Sequence, residues 1–228
     1  MNRILTLSIL IFFGLFTYSQ NSNKDTTQVS FDKKFKIGFT ISFGNSFTKL
    51  NVNSISNSIY SDSLNGISKR NSPYNFQGGL IYERKLTNTF SFRTMFVACF
   101  ETISLTYNKK SETEKLDLPF FGFNIPLNIM AHTKGAKTQA YLVAGPKLNF
   151  GIGPDQLTKD KVNTKQFDIV GEVGVGIHRK FKKIFVSPEI RFSQGLLNLK
   201  GNNNNLYTEP LQGFYRQCLW LTLNVTGN

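Results

Sequence analysis

Period-two alternation runs through most of this chain and constrains its fold more than any other feature. In Lys36–Phe43, the residues Ile37, Phe39, Ile41 and Phe43 alternate with Lys36, Gly38, Thr40 and Ser42. Successive side chains of a strand point to opposite faces, so this segment has one apolar face and one small or polar face. The pattern returns in Tyr74–Leu86, Thr89–Tyr107, Leu116–Met130, Thr138–Phe150, Phe167–His178, Ile184–Leu197 and Gly213–Val225. In Thr89–Tyr107 the apolar set is Phe90, Phe92, Phe96, Ala98 and Phe100, set against Arg93, Met95, Cys99 and Glu101. Helical periodicity is almost absent, so the chain is all-β.

The connections between these segments alternate in length. Thr87-Asn88, 131–137 and 179–183 are short, whereas 51–73, 108–115, 151–166 and 198–212 are long and rich in Asn, Ser or charge. Tight periplasmic turns and long outer loops are the pattern of an outer-membrane barrel. Residues 36–228 are therefore expected to form an eight-stranded antiparallel up-and-down transmembrane β-barrel. The alternative is a soluble periplasmic small-ligand-binding barrel, which also has eight strands but turns its apolar face inward. Here the apolar face is a Phe, Ile, Leu and Val band of the kind lipid accepts, and charges lie on the other face among small residues.

The N-terminus carries an export signal. Arg3 precedes an apolar run from Ile4 to Phe16, and Thr17-Tyr18-Ser19 ends it with small residues suited to cleavage before Gln20. A charged start, an apolar centre and a small-x-small end make a secretory signal peptide over residues 1–19. The run is shorter than the roughly 20 apolar residues of a membrane helix. Residues 20–35 read as a short flexible periplasmic lead, and the expected destination is the cell outer membrane.

Composition excludes several functions. Aromatic residues make up 14% of the chain, too many for intrinsic disorder. Two cysteines cannot build a disulfide scaffold or a Cys-ligated zinc site, and two histidines leave little for any metal. No cofactor, metal or catalytic residue is expected. His132 falls in a short turn and His178 at the inner end of its strand, and no Ser-His-Asp arrangement assembles from these positions. A formal net charge of +13 would suggest nucleic acid in a cytoplasmic protein. The lysines sit largely in loops and turns, so lipid headgroups and lipopolysaccharide phosphate are the expected partners instead.

The candidate functional set is a group of inward charges: Arg93, Glu101, Glu172, Glu189, Arg191 and Arg216. Eight-stranded barrels are filled by side chains, and charges inside them must be paired. Counting from the turn shared by their strands puts Glu172 near the depth of Glu189 and Arg191, so Arg191 is expected to bridge the two carboxylates as a plug. Cys99 and Cys218 also face the lumen, on strands that are not adjacent. Pro188 predicts a bulge or local bend. Gly171, Gly174 and Gly176 suggest a wall that curves or makes room for bulky neighbours.

The second half of the chain carries a recognisable motif set: Leu118-Pro119, Ala140-Tyr141-Leu142-Val143-Ala144-Gly145, Gly171-Glu172-Val173-Gly174-Val175-Gly176, then Ser187-Pro188-Glu189-Ile190-Arg191-Phe192-Ser193 before Gly195-Leu196-Leu197-Asn198-Leu199. Together these resemble the PorT-like outer-membrane β-barrel family of Bacteroidetes-type bacteria. The resemblance implies an accessory or scaffold role in type IX protein secretion, with secretion-machinery proteins as partners and no small-molecule substrate. A surface adhesion barrel acting through loops 51–73 and 198–212 is the alternative role.

Overall fold

The computed structural model describes residues 35–52, 64–70, 72–109, 113–135, 138–152, 162, 164–181, 183–201, 207–208 and 211–227. The signal peptide and nearly all of the lead lie outside the described residues. Among the described residues there are nine strands: β1 Phe35–Val52, β2 Leu64–Arg70, β3 Ser72–Lys85, β4 Phe90–Lys109, β5 Thr113–His132, β6 Thr138–Gly151, β7 Phe167–Phe181, β8 Ile184–Gly195 and β9 Leu211–Gly227. All pairings are antiparallel. The order β4-β3-β1-β9-β8-β7-β6-β5 closes through a β4–β5 pairing into a ring of eight positions.

The ninth strand does not widen the ring. β2 pairs with the outer part of β4 (Arg70↔Ser104) and β3 with the inner part (Phe76↔Phe100), so five intervening residues on one side face three on the other. β2 and β3 therefore share one barrel position, interrupted by extra residues of the kind that bend a strand. The Asn75 side chain repairs the gap, its Oδ1 accepting a 2.7 Å hydrogen bond from the Thr102 amide.

Several strands run further than the alternation predicts. β1 begins at Phe35, inside the expected lead, and continues to Val52, while β2 occupies part of the expected 51–73 loop. The expected 108–115 loop is mostly strand, since β4 reaches Lys109 and β5 starts at Thr113. Polar outward residues, the exposed Lys115 and Asp117 among them, mark the ends of these hairpins without ending their pairing. At the inner end the connections are 86–89, 133–137 and 182–183, and His132 belongs to β5 rather than to a turn.

The wall has the polarity of a membrane barrel. Outward residues include Phe39 (68% exposed), Phe43 (61%), Phe96 (56%), Phe121 (55%) and Leu221 (61%), drawn from β1, β4, β5 and β9. The interior buries Ser42, Arg93, Asn124, Asn128, Asp168, Ser187 and Asn224. A soluble ligand carrier needs the opposite arrangement.

Toward the outer end this polarity reverses. Past Phe100 on β4 the buried residues become Ile103, Leu105 and Tyr107, and on β5 the matching ones are Leu116 and Leu118. They form one apolar cluster with Val162, Leu199 and Phe214. Tyr207 packs edge-on against Tyr107, whose hydroxyl donates to the Tyr207 carbonyl at 3.0 Å. A bridge between Thr164 and Lys200 ties the two outer connections that supply Val162 and Leu199.

Pro188 makes no bulge. The β7–β8 register is the same on both sides of it, from Gly176↔Glu189 to Arg179↔Val186, and only the intervening pairs are missing from the ladder. The ring nitrogen cannot donate, so the ladder opens there without shifting.

Candidate functional site

β4, β7 and β8 send charged side chains inward at positions set by the ring's stagger. The result is a continuous chain of alternating charge. At the inner mouth, Lys36 Nζ lies 3.3 Å from Glu83 Oε1, and Glu83 Oε2 accepts from Arg93 Nη2 at 3.1 Å. Arg93 Nη1 reaches Glu189 Oε2 across the lumen at 2.7 Å. Glu189 is held on its other oxygen by Arg191, which also reaches Glu172 at 3.3 Å, and Glu172 takes Lys147 Nζ at 3.1 Å. The Tyr141 hydroxyl donates to Glu189 at 2.7 Å.

Each carboxylate therefore has two cationic neighbours. An unpaired ion in this space would cost several kcal/mol, and the alternation leaves none of the three carboxylates without a partner. Arg191 stands between Glu172 and Glu189, where the sequence expectation put it. The expected set of six does not form one network, however. Arg93, Glu172, Glu189 and Arg191 belong to the chain, whereas Glu101 and Arg216 lie apart with Asp168. Arg216 is 3.5 Å from Glu101 and 4.0 Å from Asp168, and its guanidinium lies 3.9 Å from the centre of the Phe120 ring.

Glu83, Lys147 and Asp168 are further lumen charges, outside the expected set of six. Their inward phase was visible in the alternation. What alternation lacks is the rotational position of each strand around the ring, so a pair such as Arg93 and Glu189, on strands that are not neighbours, cannot be matched from the sequence.

The glycines of β7 make the chain possible. A Cβ on Gly174 would come within 2.6 Å of Arg191 Cγ, and one on Gly176 within 2.5 Å of the Tyr141 hydroxyl. Gly171 faces open space, with its nearest neighbour 4.0 Å away. Two of the three glycines thus give room to the side chains that pair with Glu189.

The histidines also differ from expectation. His178 Nδ1 is hydrogen-bonded to Ser187 Oγ, and its Nε2 stands 3.5 Å from Glu83 Oε1. A serine, a histidine and a carboxylate are therefore brought together, although the sequence reading assembled no such set. Ser187 is fully buried in the wall, and its hydroxyl meets the ring nitrogen opposite the one that faces the carboxylate. Cys99 and Cys218 are buried free thiols.

The profile of a family described as outer membrane protein beta-barrel domain matches residues 18–201. No curated protein sequence matches the chain. Among solved structures, Yersinia pestis Ail in complex with the heparin analogue sucrose octasulfate is 9% identical, over 85% of this chain and 99% of that one, with a TM-score of 0.41. Neisserial surface protein A is 11% identical over 83% of this chain and 96% of that one, with a TM-score of 0.41. Escherichia coli outer membrane protein W is 12% identical over 84% and 97%, with a TM-score of 0.35.

Proposed function

The chain belongs to the family of outer membrane protein beta-barrel domains, and from that premise we propose that it is a closed, non-catalytic barrel that anchors and scaffolds a protein-export assembly. Family membership puts it in the outer membrane. The observation that carries the reading is the filled lumen. Arg93, Tyr141, Lys147, Arg191 and Trp220 are fully buried across the section where a passage would have to run. A barrel without a passage acts through its rims.

The outer rim suits that role. The β4–β5 hairpin rises past the apolar belt as a paired, apolar-cored extension, presenting Lys115 and Asp117 outward. Exposed Lys49 and Lys115 have the charge to meet lipopolysaccharide phosphate at its base. The similarity of Ser187–Ser193 and Gly195–Leu199 to PorT-like barrels supports a type IX-like secretion assembly as the partner. In this structure Ser187, Glu189, Arg191 and Ser193 all point inward, so this motif builds the plug and the rims remain free for partners.

The test is native electrophoresis of outer membranes extracted in mild detergent, comparing the full chain with a variant lacking residues 103–118. Migration in a large assembly with export proteins, lost in the variant, supports the scaffold. A monomer in both cases overturns it. If the native barrel runs as a monomer and deletion within the 51–73 or 198–212 connection abolishes binding of whole cells to a surface, the adhesion role replaces it.

A further inference from the structure

Two histidines that the charge chain does not explain meet its Glu83 carboxylate at the inner mouth. One ring nitrogen of His132, one of His178 and a Glu83 carboxylate oxygen all lie within 4.8 Å of one another, and the His178–Glu83 approach is Nε2 to Oε1 at 3.5 Å. Both histidines are more than nine-tenths buried; His132 Nδ1 has no hydrogen-bond partner, and His178 Nε2 has only the Glu83 carboxylate, 3.5 Å away. Leaving such a buried nitrogen unsatisfied is costly unless something else takes its lone pair.

The other nitrogen of each ring is held by a serine. His132 Nε2 lies 3.0 Å from Ser91 Oγ, and His178 Nδ1 is bonded to Ser187 Oγ. Ligating histidines carry this kind of support, because fixing one nitrogen as the N–H leaves the other as a directed lone pair. The mouth is also open: a cavity of about 60 Å³ is lined by Lys36, Glu83, Ser91, His132 and Gln139. It has room for an entering ion and its water.

We propose that His132, His178 and Glu83 form a binding site for a divalent transition metal of the zinc class, facing the periplasm. Two imidazoles and one carboxylate suit zinc and its first-row neighbours and do not suit calcium or magnesium, which take all-oxygen sites. Ligand atoms on one tetrahedral zinc stand about 3.3 Å apart, so the side chains close by at most about 1.5 Å. His132 makes most of that movement. Its ring is nearly parallel to that of His178, 7° between planes and 5.4 Å between centres, and it must turn for both lone pairs to converge. A water from the cavity takes the fourth position.

Lys36 is the competitor built into the site. Its ammonium occupies Glu83 Oε1, the oxygen that faces His178, and the metal displaces it. The ammonium has somewhere to remain, 4.2 Å from the centre of the Phe185 ring. Arg93 keeps the other oxygen of Glu83, so the carboxylate binds the ion through one atom.

The experiment is a titration of the full-length chain, folded in detergent micelles and stripped with chelator, with Co²⁺ read by its visible absorption and then displaced by Zn²⁺. One ion per chain is expected, with no competition from Ca²⁺ or Mg²⁺. His132→Ala, at the mouth, weakens binding by more than about 100-fold, and Ser91→Ala by about 10–100-fold. Lys36→Met tightens it, a gain that no loss of folding can imitate. Heat-dependent gel mobility checks that each variant is folded. Absence of stoichiometric binding overturns the site, as does binding that is indifferent to both His132→Ala and Lys36→Met. The scaffold reading stands or falls separately, on the native gel.

Discussion

The inner and outer halves of the lumen are built from the same strands and the same alternation, yet the inner half threads a chain of paired charges between small apolar clusters while the outer half gathers one larger apolar cluster. The inner half contains the chain Lys36–Glu83–Arg93–Glu189–Arg191–Glu172–Lys147. The outer half contains Ile103, Leu105, Tyr107, Leu116, Leu118 and Phe214. What changes between them is the solvent outside the wall. Where lipid covers Phe96 and Phe121, the apolar phase of each strand is spent outward and the lumen receives polar groups. Beyond the belt, water covers Lys115 and Asp117, so the apolar phase turns inward and builds an ordinary β core. One chain is thus a membrane barrel at one end and a soluble β structure at the other.

The largest effect is expected from breaking the inner half. Arg93→Ala removes the cation between Glu83 and Glu189 and costs about 3–5 kcal/mol, the usual result of stripping one partner from a buried pair. Urea unfolding of the barrel in lipid vesicles, followed by gel mobility, reads this loss. Next comes a test of the lipid-facing wall: Phe96→Lys puts an ammonium into the belt and costs about 2–4 kcal/mol in the same assay. Leu105→Ala hollows the outer cluster, and about 2–4 kcal/mol is expected there. That loss falls on the extension alone, so it appears as faster proteolysis of the β4–β5 hairpin with the heat-modified barrel intact. Lys115→Ala, outward but above the belt, changes stability by no more than about 0.5 kcal/mol. A large effect at Lys115 would mean that lipid, not water, covers that face.

Much of the ring is legible in the sequence. Alternation alone separates the outward set Phe90, Phe92, Phe96 and Phe100 from the inward set Arg93, Met95 and Cys99, and the structure keeps that division. The outer extension is legible too, in a signal that the reading passed over. The apolar phase shifts by one residue between Phe100 and Ile103 on β4, and again between Phe120 and Phe121 on β5. A one-residue shift exchanges the faces of a strand, and here it marks the height at which the surroundings change. β2 lies inside a stretch whose Asn- and Ser-rich composition reads as a loop, so composition conceals it.

The luminal site is less legible. The inward charges can be found one by one, but their partners depend on stagger around the ring, which alternation does not carry. Glu83 illustrates this. It lies opposite Arg93 in the β3–β4 register, yet it also meets His178 from β7, a strand on the other side of the lumen. The two histidines are unremarkable in sequence for the same reason, since 45 positions separate residues whose rings stand 5.4 Å apart.

The central claim is that the paired charges close the lumen. Conductance of the folded barrel in a planar lipid bilayer tests it most directly. The account predicts a silent bilayer with the native chain at neutral pH and moderate salt. Stable, uniform current steps from the native barrel would contradict it, because a lumen that passes ions cannot be filled by the chain from Lys36 to Lys147.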